Sequence, residues 1–304
     1  MLRQADNSVK IEGVLAEVDI KQSQFTYDGQ VKDAIGGKIL VKVNQKIGGK
    51  PMELMVPVYC FATKYTKKGT LNPAWESINR LMTEFVSIAA AGGEEKADRI
   101  RIPKGDIRMN EYYSPDGKLI SYPRIHASFF NKIKKEDCNS EASFILQFAV
   151  ASMSDETDRN GEPTGRTVVK ALVPQYGGKV DVIPLIAASP NVVDAITTYW
   201  EVGDTVKANG RINFSSMTEI VYEEVDFGEP VEKVRTVNVS DLILTGGSQT
   251  PLEGEFAFEK ADLDAALAER KARLEGKRDK DMSATSSRKT PLQKPKAGFD
   301  DLGF

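Results

Sequence analysis

The strongest constraint on the fold is an internal repeat. One order of elements, three strands, a helix and two more strands, is written twice along the 304 residues, with a period of about 120 residues. In the first copy Val9 and Ile11 alternate with Lys10 and Glu12. Gly13 shifts the phase, and Val14, Ala16, Val18 and Ile20 carry it on. A glycine at such a shift predicts a bulge or sharp bend, which lets one strand serve two sides of a small barrel. A polar loop holding Phe25, Tyr27 and Asp28-Gly29 is expected next. Ile39, Val41 and Val43 then alternate with polar neighbours, Gly48-Gly49 makes a turn, and Met52, Leu54, Val56, Val58 and Cys60 mark a third strand. From Leu71-Asn72-Pro73 to Ala91, apolar residues recur at helical spacing (Trp75, Ile78, Leu81, Met82, Phe85, Ile88), and Gly92-Gly93 ends the helix. Two strands follow, around Ile100–Met109 and from Leu119 to Phe129, joined by the turn Ser114-Pro115-Asp116-Gly117.

The second copy has the same punctuation. Phe144, Leu146, Phe148 and Val150 form a strand, and a polar loop contains Asn160-Gly161. Strands at 168–173 and 180–187 flank Gly177-Gly178. Ser189-Pro190 opens a short helix through Trp200, and strands at 206–214 and 234–244 flank an acidic excursion at 219–232. This is the chain order of the OB-fold, a five-stranded Greek-key barrel. The expected fold is therefore mainly β. It has two tandem OB-like five-stranded barrels (β-β-β-α-β-β repeated), followed by a charged helical and disordered C-terminal tail. The expected divisions are a barrel over 1–135, a barrel over 136–250, a charged helical segment over 251–276, and a basic linker with an acidic tip over 277–304. In the tail, Leu263, Leu267 and Leu274 form a narrow stripe. Beyond Gly276 too few apolar groups remain to support a fold.

Charge separates the two copies. Residues 1–135 hold 22 basic and 15 acidic side chains, and residues 136–258 hold 8 basic and 20 acidic. A basic barrel beside an acidic one implies that one surface meets a polyanion and the other something else. No run of 18 apolar residues and no apolar leader is present, so no membrane partner is expected and a cytoplasmic setting fits. Cys60 and Cys138 lack metal-ligand spacing, and His126 is the only histidine. With no phosphate-binding loop and no nucleophile motif, the chain reads as a non-enzyme that takes no cofactor and no metal. Asp106, Glu111 and Asp116 read as solvated acids.

The last residues, Asp300-Asp301-Leu302-Gly303-Phe304, add a second motif to the barrel order. Together they resemble the single-stranded-DNA-binding proteins of bacteria and bacteriophages, in which an OB barrel is followed by a linker and an acidic, Phe-ended tip. The tip here has two acids, and Gly where the bacterial form commonly has Pro. Two barrels in one chain point to a viral version acting in a host cytoplasm. The resemblance implies a protein that coats single-stranded DNA without sequence preference during DNA replication or recombination. It also implies recruitment of replication or recombination proteins through Asp300, Asp301, Leu302 and Phe304, with self-association possible.

The residues of the first barrel fit that implication on physical grounds. Unspecific binding of single strands needs a cationic groove for phosphates and aromatic faces for bases. Tyr59 and Phe61 alternate with Val58 and Cys60 and so face away from the interior. Lys64, Tyr65, Lys67 and Lys68 follow. Arg101, Lys104 and Arg108 lie on the fourth strand, then come Tyr112, Tyr113, Lys118, Tyr122 and Arg124. In the second barrel Arg166, Lys170, Lys207 and Arg211 sit among excess acids. A structural or assembly protein of a virus, built on the same barrels, is the competing reading.

Overall fold

The computed structural model describes residues 2–158, 160–223 and 231–286. The first five long strands are β1 (Asn7–Tyr27), β2 (Gln30–Ile47), β3 (Lys50–Thr63), β4 (Arg99–Tyr113) and β5 (Leu119–Ala127). They close a circuit: β1 pairs antiparallel with β2, β2 with β3, β5 with β4 and β4 with β1, while β3 runs parallel to β5. That closure, with its single parallel seam, is the five-stranded OB arrangement. A short β6 (Asn131–Ile133) adds to the edge of β4. The circuit then recurs with β7 (Glu141–Thr157), β8 (Pro163–Pro174), β9 (Val180–Ala187), β10 (Thr205–Glu223) and β11 (Val231–Gly247). Here β9 and β11 form the parallel seam. The protein is mainly β and OB-like.

Alternation explains each barrel wall. Ile39, Val41, Val56, Val58, Ile100, Ile102, Ile107 and Ile125 are fully buried in the first barrel, and Val169, Ala171, Val173, Ile183, Leu185 and Val206 in the second. Each Val, Ile or Leu among them contributes about 1.5–3 kcal/mol of burial. The barrel ends are covered by helices. In the first, α1 (Pro73–Glu84) turns Ile78 and Leu81 inward, and the Asn72 side chain caps it by accepting from the Ala74 N–H at 3.0 Å. In the second, α3 (Pro190–Tyr199), which follows α2 (Ile88–Ala91), ends at Trp200. The Trp200 ring packs edge-on against Phe148 at 5.7 Å, and its Nε1–H donates to the Ser248 carbonyl at 2.8 Å.

Three local features differ from the sequence reading. The helix expected from 71 to 91 is broken, because the backbone becomes extended at Phe85 and Val86 pairs with Asp98. The Asp98 N–H donates to the Val86 carbonyl, and the Val86 N–H donates to the Asp98 carboxylate. Ser87 then starts α2 by capping the Ala90 N–H. The polar loops around Asp28 and Asn160 are tips of long hairpins, since β1 runs to Tyr27 and β7 to Thr157. Likewise β10 and β11 take in much of the acidic excursion, with register from Ala208–Gly247 out to Glu223–Val231.

Gly13 is not itself bulged. The irregularities flank it, at Val9/Ile11 against β4 and at Leu15/Glu17 against β2. Gly13 sits where the strands cross, and a Cβ there would lie 2.3 Å from the Lys42 carbonyl oxygen. Below that crossing β1 is paired on both edges. Asn7–Glu12 face β7 at Glu141–Leu146 on one side, while Val9, Ile11 and Glu12 face Gly105, Ile102 and Arg101 of β4 on the other. One strand is thus a wall of the first barrel and is laddered directly to a wall of the second.

The described residues end in α4 (Lys260–Ser286), whose Leu263, Ala266 and Leu274 are buried. The helix runs past Gly276, through residues expected to be linker. The tip residues Asp300, Asp301, Leu302 and Phe304 lie outside the described residues.

Candidate nucleic-acid interface

Strand register builds one outward face on the first barrel. Across antiparallel pairs, directly opposed residues share a side of the sheet. Asp19, Lys38 and Tyr59 therefore form one row and Lys21, Gly36 and Phe61 the next. Across the parallel seam Tyr59 lies opposite His126. On β4, Arg108 opposes Arg124 and Asn110 opposes Tyr122. The contacts follow this register. The Arg124 guanidinium lies 4.3 Å from the centre of the Tyr59 ring and 5.2 Å from that of Tyr122, and it donates to the Tyr122 hydroxyl at 2.6 Å. His126 packs on Tyr59 at 6.0 Å between ring centres. Burial, with the positive charges of Arg108 and Arg124, pushes the His126 imidazole down to about 4, against a smaller opposing effect of Asp106. It is therefore neutral at physiological pH.

Phe61 is 59% exposed. Gly36 beside it lets the ring lie low, since a Cβ there would come within 3.0 Å of Phe61 Cδ2. Phe61 is met by Phe25 at 6.0 Å from the β1–β2 arm, where Lys32 lies over the exposed Tyr27 ring at 5.0 Å. Phe25, Tyr27 and Lys32 are absent from the sequence-derived set. Their signal is the outward register shared with Phe61, which a loop assignment hides. Lys64 lies over both Tyr65 (5.8 Å) and Trp75 (5.7 Å) and sits 3.9 Å from Asp33. Lys67 and Lys68 project from an exposed turn closed by the Thr66 N–H and the Thr70 carbonyl, and neither makes an ion pair among the described residues. At the other end Tyr112 and Lys118 are exposed and Tyr113 is half-buried.

The rest of the expected set is dispersed. Arg108 is ion-paired with Asp106 on its own strand, and Lys104 is exposed beside Gly105. Arg101 turns to the seam between barrels, where a ladder of charges crosses four strands. Arg101 Nε meets Glu12 at 2.7 Å, Lys10 meets Glu12 at 3.3 Å and Glu141 at 2.8 Å, and Arg211 meets Glu141 at 3.1 Å. Burial works against the Glu12 carboxylate, but hydrogen bonds from Arg101, the Asn139 N–H and Lys10 outweigh it and hold its pKa low. Arg101 is therefore committed to the fold. In the second barrel Arg166 pairs with Glu156 (3.0 Å) and Asp241 (2.8 Å), and Lys207 with Asp6 (2.7 Å). Lys170 is exposed. Of the cations in the sequence-derived set, those left unpaired beside aromatic rings are thus on the first barrel.

Among the described residues no group of three or more His, Cys, Asp or Glu is arranged to hold an ion. Burial raises the Cys60 thiol to about 11. No helix is long and apolar enough to cross a membrane among the described residues.

The YorF family model matches residues 5–280. The chain belongs to the YorF family. No curated protein matches this YorF-family chain. Among solved structures, it is similar to the wild-type single-stranded DNA binding protein from Thermus aquaticus, with a TM-score of 0.48 and 11% identity over 83% of this chain and 96% of that one. It is also similar to a deletion mutant of the same protein, with a TM-score of 0.47 and 12% identity over 83% and 97%.

Proposed function

We propose that the chain binds single-stranded DNA, without sequence preference, on the outward face of the first barrel. The observation that supports this is the shared outward face of Phe25, Phe61, Tyr59, Arg124 and Tyr122 across β1, β3 and β5, where Phe25 meets Phe61 and Arg124 lies on both Tyr59 and Tyr122. Bases stack on such surfaces whatever their identity, because each has a π-face, and stacking is worth about 1–3 kcal/mol per base. Lys64, Lys67 and Lys68 at one end and Arg108 and Lys118 at the other then serve the phosphates. In OB barrels the β2–β3 face and the β1–β2 and β4–β5 loops are where oligonucleotides dock, and the aromatic run spans that region.

The wider role we infer is coating of single strands in replication or recombination, in a viral setting. Asp300, Asp301, Leu302 and Phe304 recruit partner proteins: the acids steer toward a basic rim and the aromatic fills an apolar slot. Titration of intrinsic fluorescence with poly-dT tests the first part, because stacking on Tyr59 or Phe61 brings bases against neighbouring tyrosines and Trp75. Absence of quenching and of any shift in anisotropy of labelled oligo-dT would sink it. Removal of residues 299–304 tests the second. DNA affinity stays equal or rises slightly, while partner capture is lost; the reverse pattern overturns the assignment.

A further inference from the structure

Beyond Ile107 the edge of β4 no longer has β1 beside it, and a cleft opens there between the barrels and α4. It is lined by Arg108 of β4, Tyr176 and Lys179 of the β8–β9 turn, and Arg273 and Lys277 of α4. Tyr176 is 85% exposed, the most exposed aromatic ring among the described residues. A tyrosine held in solvent on a glycine turn, Tyr176-Gly177-Gly178, has no packing role to explain it.

The cations of the cleft are not used up by its acids. Glu111 is ion-paired with Arg270, and Asp106 with Arg108. The Asp181 carboxylate accepts from the Met109 N–H at 3.0 Å, and burial raises its pKa. Lys179 and Arg273 make no hydrogen bond or ion pair through their side chains among the described residues, and the Arg273 Nε is buried without a partner. Lys277 donates only to a neutral acceptor, the Glu111 carbonyl, at 3.1 Å. Cations that the cleft's acids leave over thus converge from two separate parts of the chain, the β8–β9 turn and α4, on one opening beside an exposed ring.

The cleft is also contiguous with the aromatic face. Arg108 lines it, and Arg108 is the register partner of Arg124, which lies on Tyr59. Resting on the single-strand reading above, we propose that the bound strand leaves the first barrel past Arg108 on β4 and enters this cleft. There Lys179, Arg273 and Lys277 hold its phosphates and Tyr176 stacks a base. The second barrel and α4 thereby contribute to binding through their junction, although the second barrel as a whole is acidic.

Length separates the two surfaces. One OB barrel occupies about 4–16 nucleotides, so an oligo-dT of about 8 nucleotides fits the first barrel alone, and one of about 30 also reaches the cleft. Anisotropy titrations of the full chain with both probes give a long-to-short affinity ratio. Tyr176→Ala lowers that ratio at least about fivefold, the lower end of one stacking contact, and Lys179→Gln lowers it and flattens the salt dependence for the long probe only. Phe61→Ala weakens both probes alike. Wild-type binding with an unchanged ratio in both cleft variants overturns the cleft and leaves the barrel face standing. No binding of either probe by the wild type overturns both.

Discussion

The Arg124 guanidinium rests 4.3 Å from the centre of the Tyr59 ring, across the one parallel seam of the first barrel. The cation covers a face of Tyr59 and itself presents a flat, weakly hydrated surface to solvent. In the proposed interface Tyr59 would therefore act both as a ring for stacking and as the support of Arg124, whose guanidinium plane would offer a second surface to a base. Arg124→Lys keeps the charge and loses the plane. It should lower oligo-dT affinity by about 1 kcal/mol with the slope of log K against log salt unchanged; a changed slope with unchanged low-salt affinity would contradict the stacking role.

Phe61 and the lysine turn should separate cleanly. Phe61→Ala removes an exposed ring, so it should cost about 1–3 kcal/mol of DNA affinity with little change in Tm. Replacing both Lys67 and Lys68 with Gln should reduce the salt slope by about 1.4, from about 0.7 per phosphate contact on single strands. Titrations at several salt concentrations read both effects.

His126 gives a pH signature. Its folded pKa is depressed to about 4, chiefly by burial and then by Arg108, while the unfolded chain titrates near 6.5. Above the unfolded value both states are neutral and the residue contributes no pH dependence. As pH falls from there toward about 4, the unfolded chain takes up a proton that the folded one does not, so stability declines across that window. Because it is the only histidine, His126→Gln should flatten the change in urea midpoint between about pH 7 and pH 5. A slope of the same size in the variant would assign it elsewhere.

The Glu111–Arg270 pair ties α4 to the first barrel. Glu111 is buried, and it also accepts from the Ser121 hydroxyl at 3.2 Å. Glu111→Ala leaves a guanidinium without its partner in a largely dry site and should cost about 3 kcal/mol of stability. Chemical denaturation measures it, and a loss under about 0.5 kcal/mol would mean that α4 is not fastened here.

The barrels were legible in the sequence because their walls alternate. Val56, Val58 and Cys60 point in while Tyr59 and Phe61 point out, and a period of two needs no knowledge of neighbours. The hairpin arms were not legible. Around Asp28 and Asn160 both faces of each strand meet solvent, so no apolar period exists and only the cross-strand ladder defines the strand. The break after Glu84 depends on Asp98, far along the chain, pairing with Val86. Glu111 reads as a solvated acid until α4, some 150 residues later, lands on it. Arg101 has the composition of a binding residue, and only the fold brings Glu12 beside it. For the site, the outward aromatics could be chosen from alternation, but their grouping around Arg124 required the parallel seam.

The doubly paired stretch of β1, Asn7–Glu12, bears on how such a molecule would meet a polymer. Barrels strung on a peptide linker swivel independently, and the length of strand they cover changes with their mutual angle. Here a swivel would have to tear the backbone ladder that joins Asn7–Glu12 of the first barrel to Glu141–Leu146 of the second. The distance from the aromatic face of the first barrel to the turn carrying Tyr176 is consequently a constant of the molecule. In the proposed role the protein would act as a rigid gauge, and any variation in the length of single strand it covers would have to come from its hairpin tips or from contacts between copies.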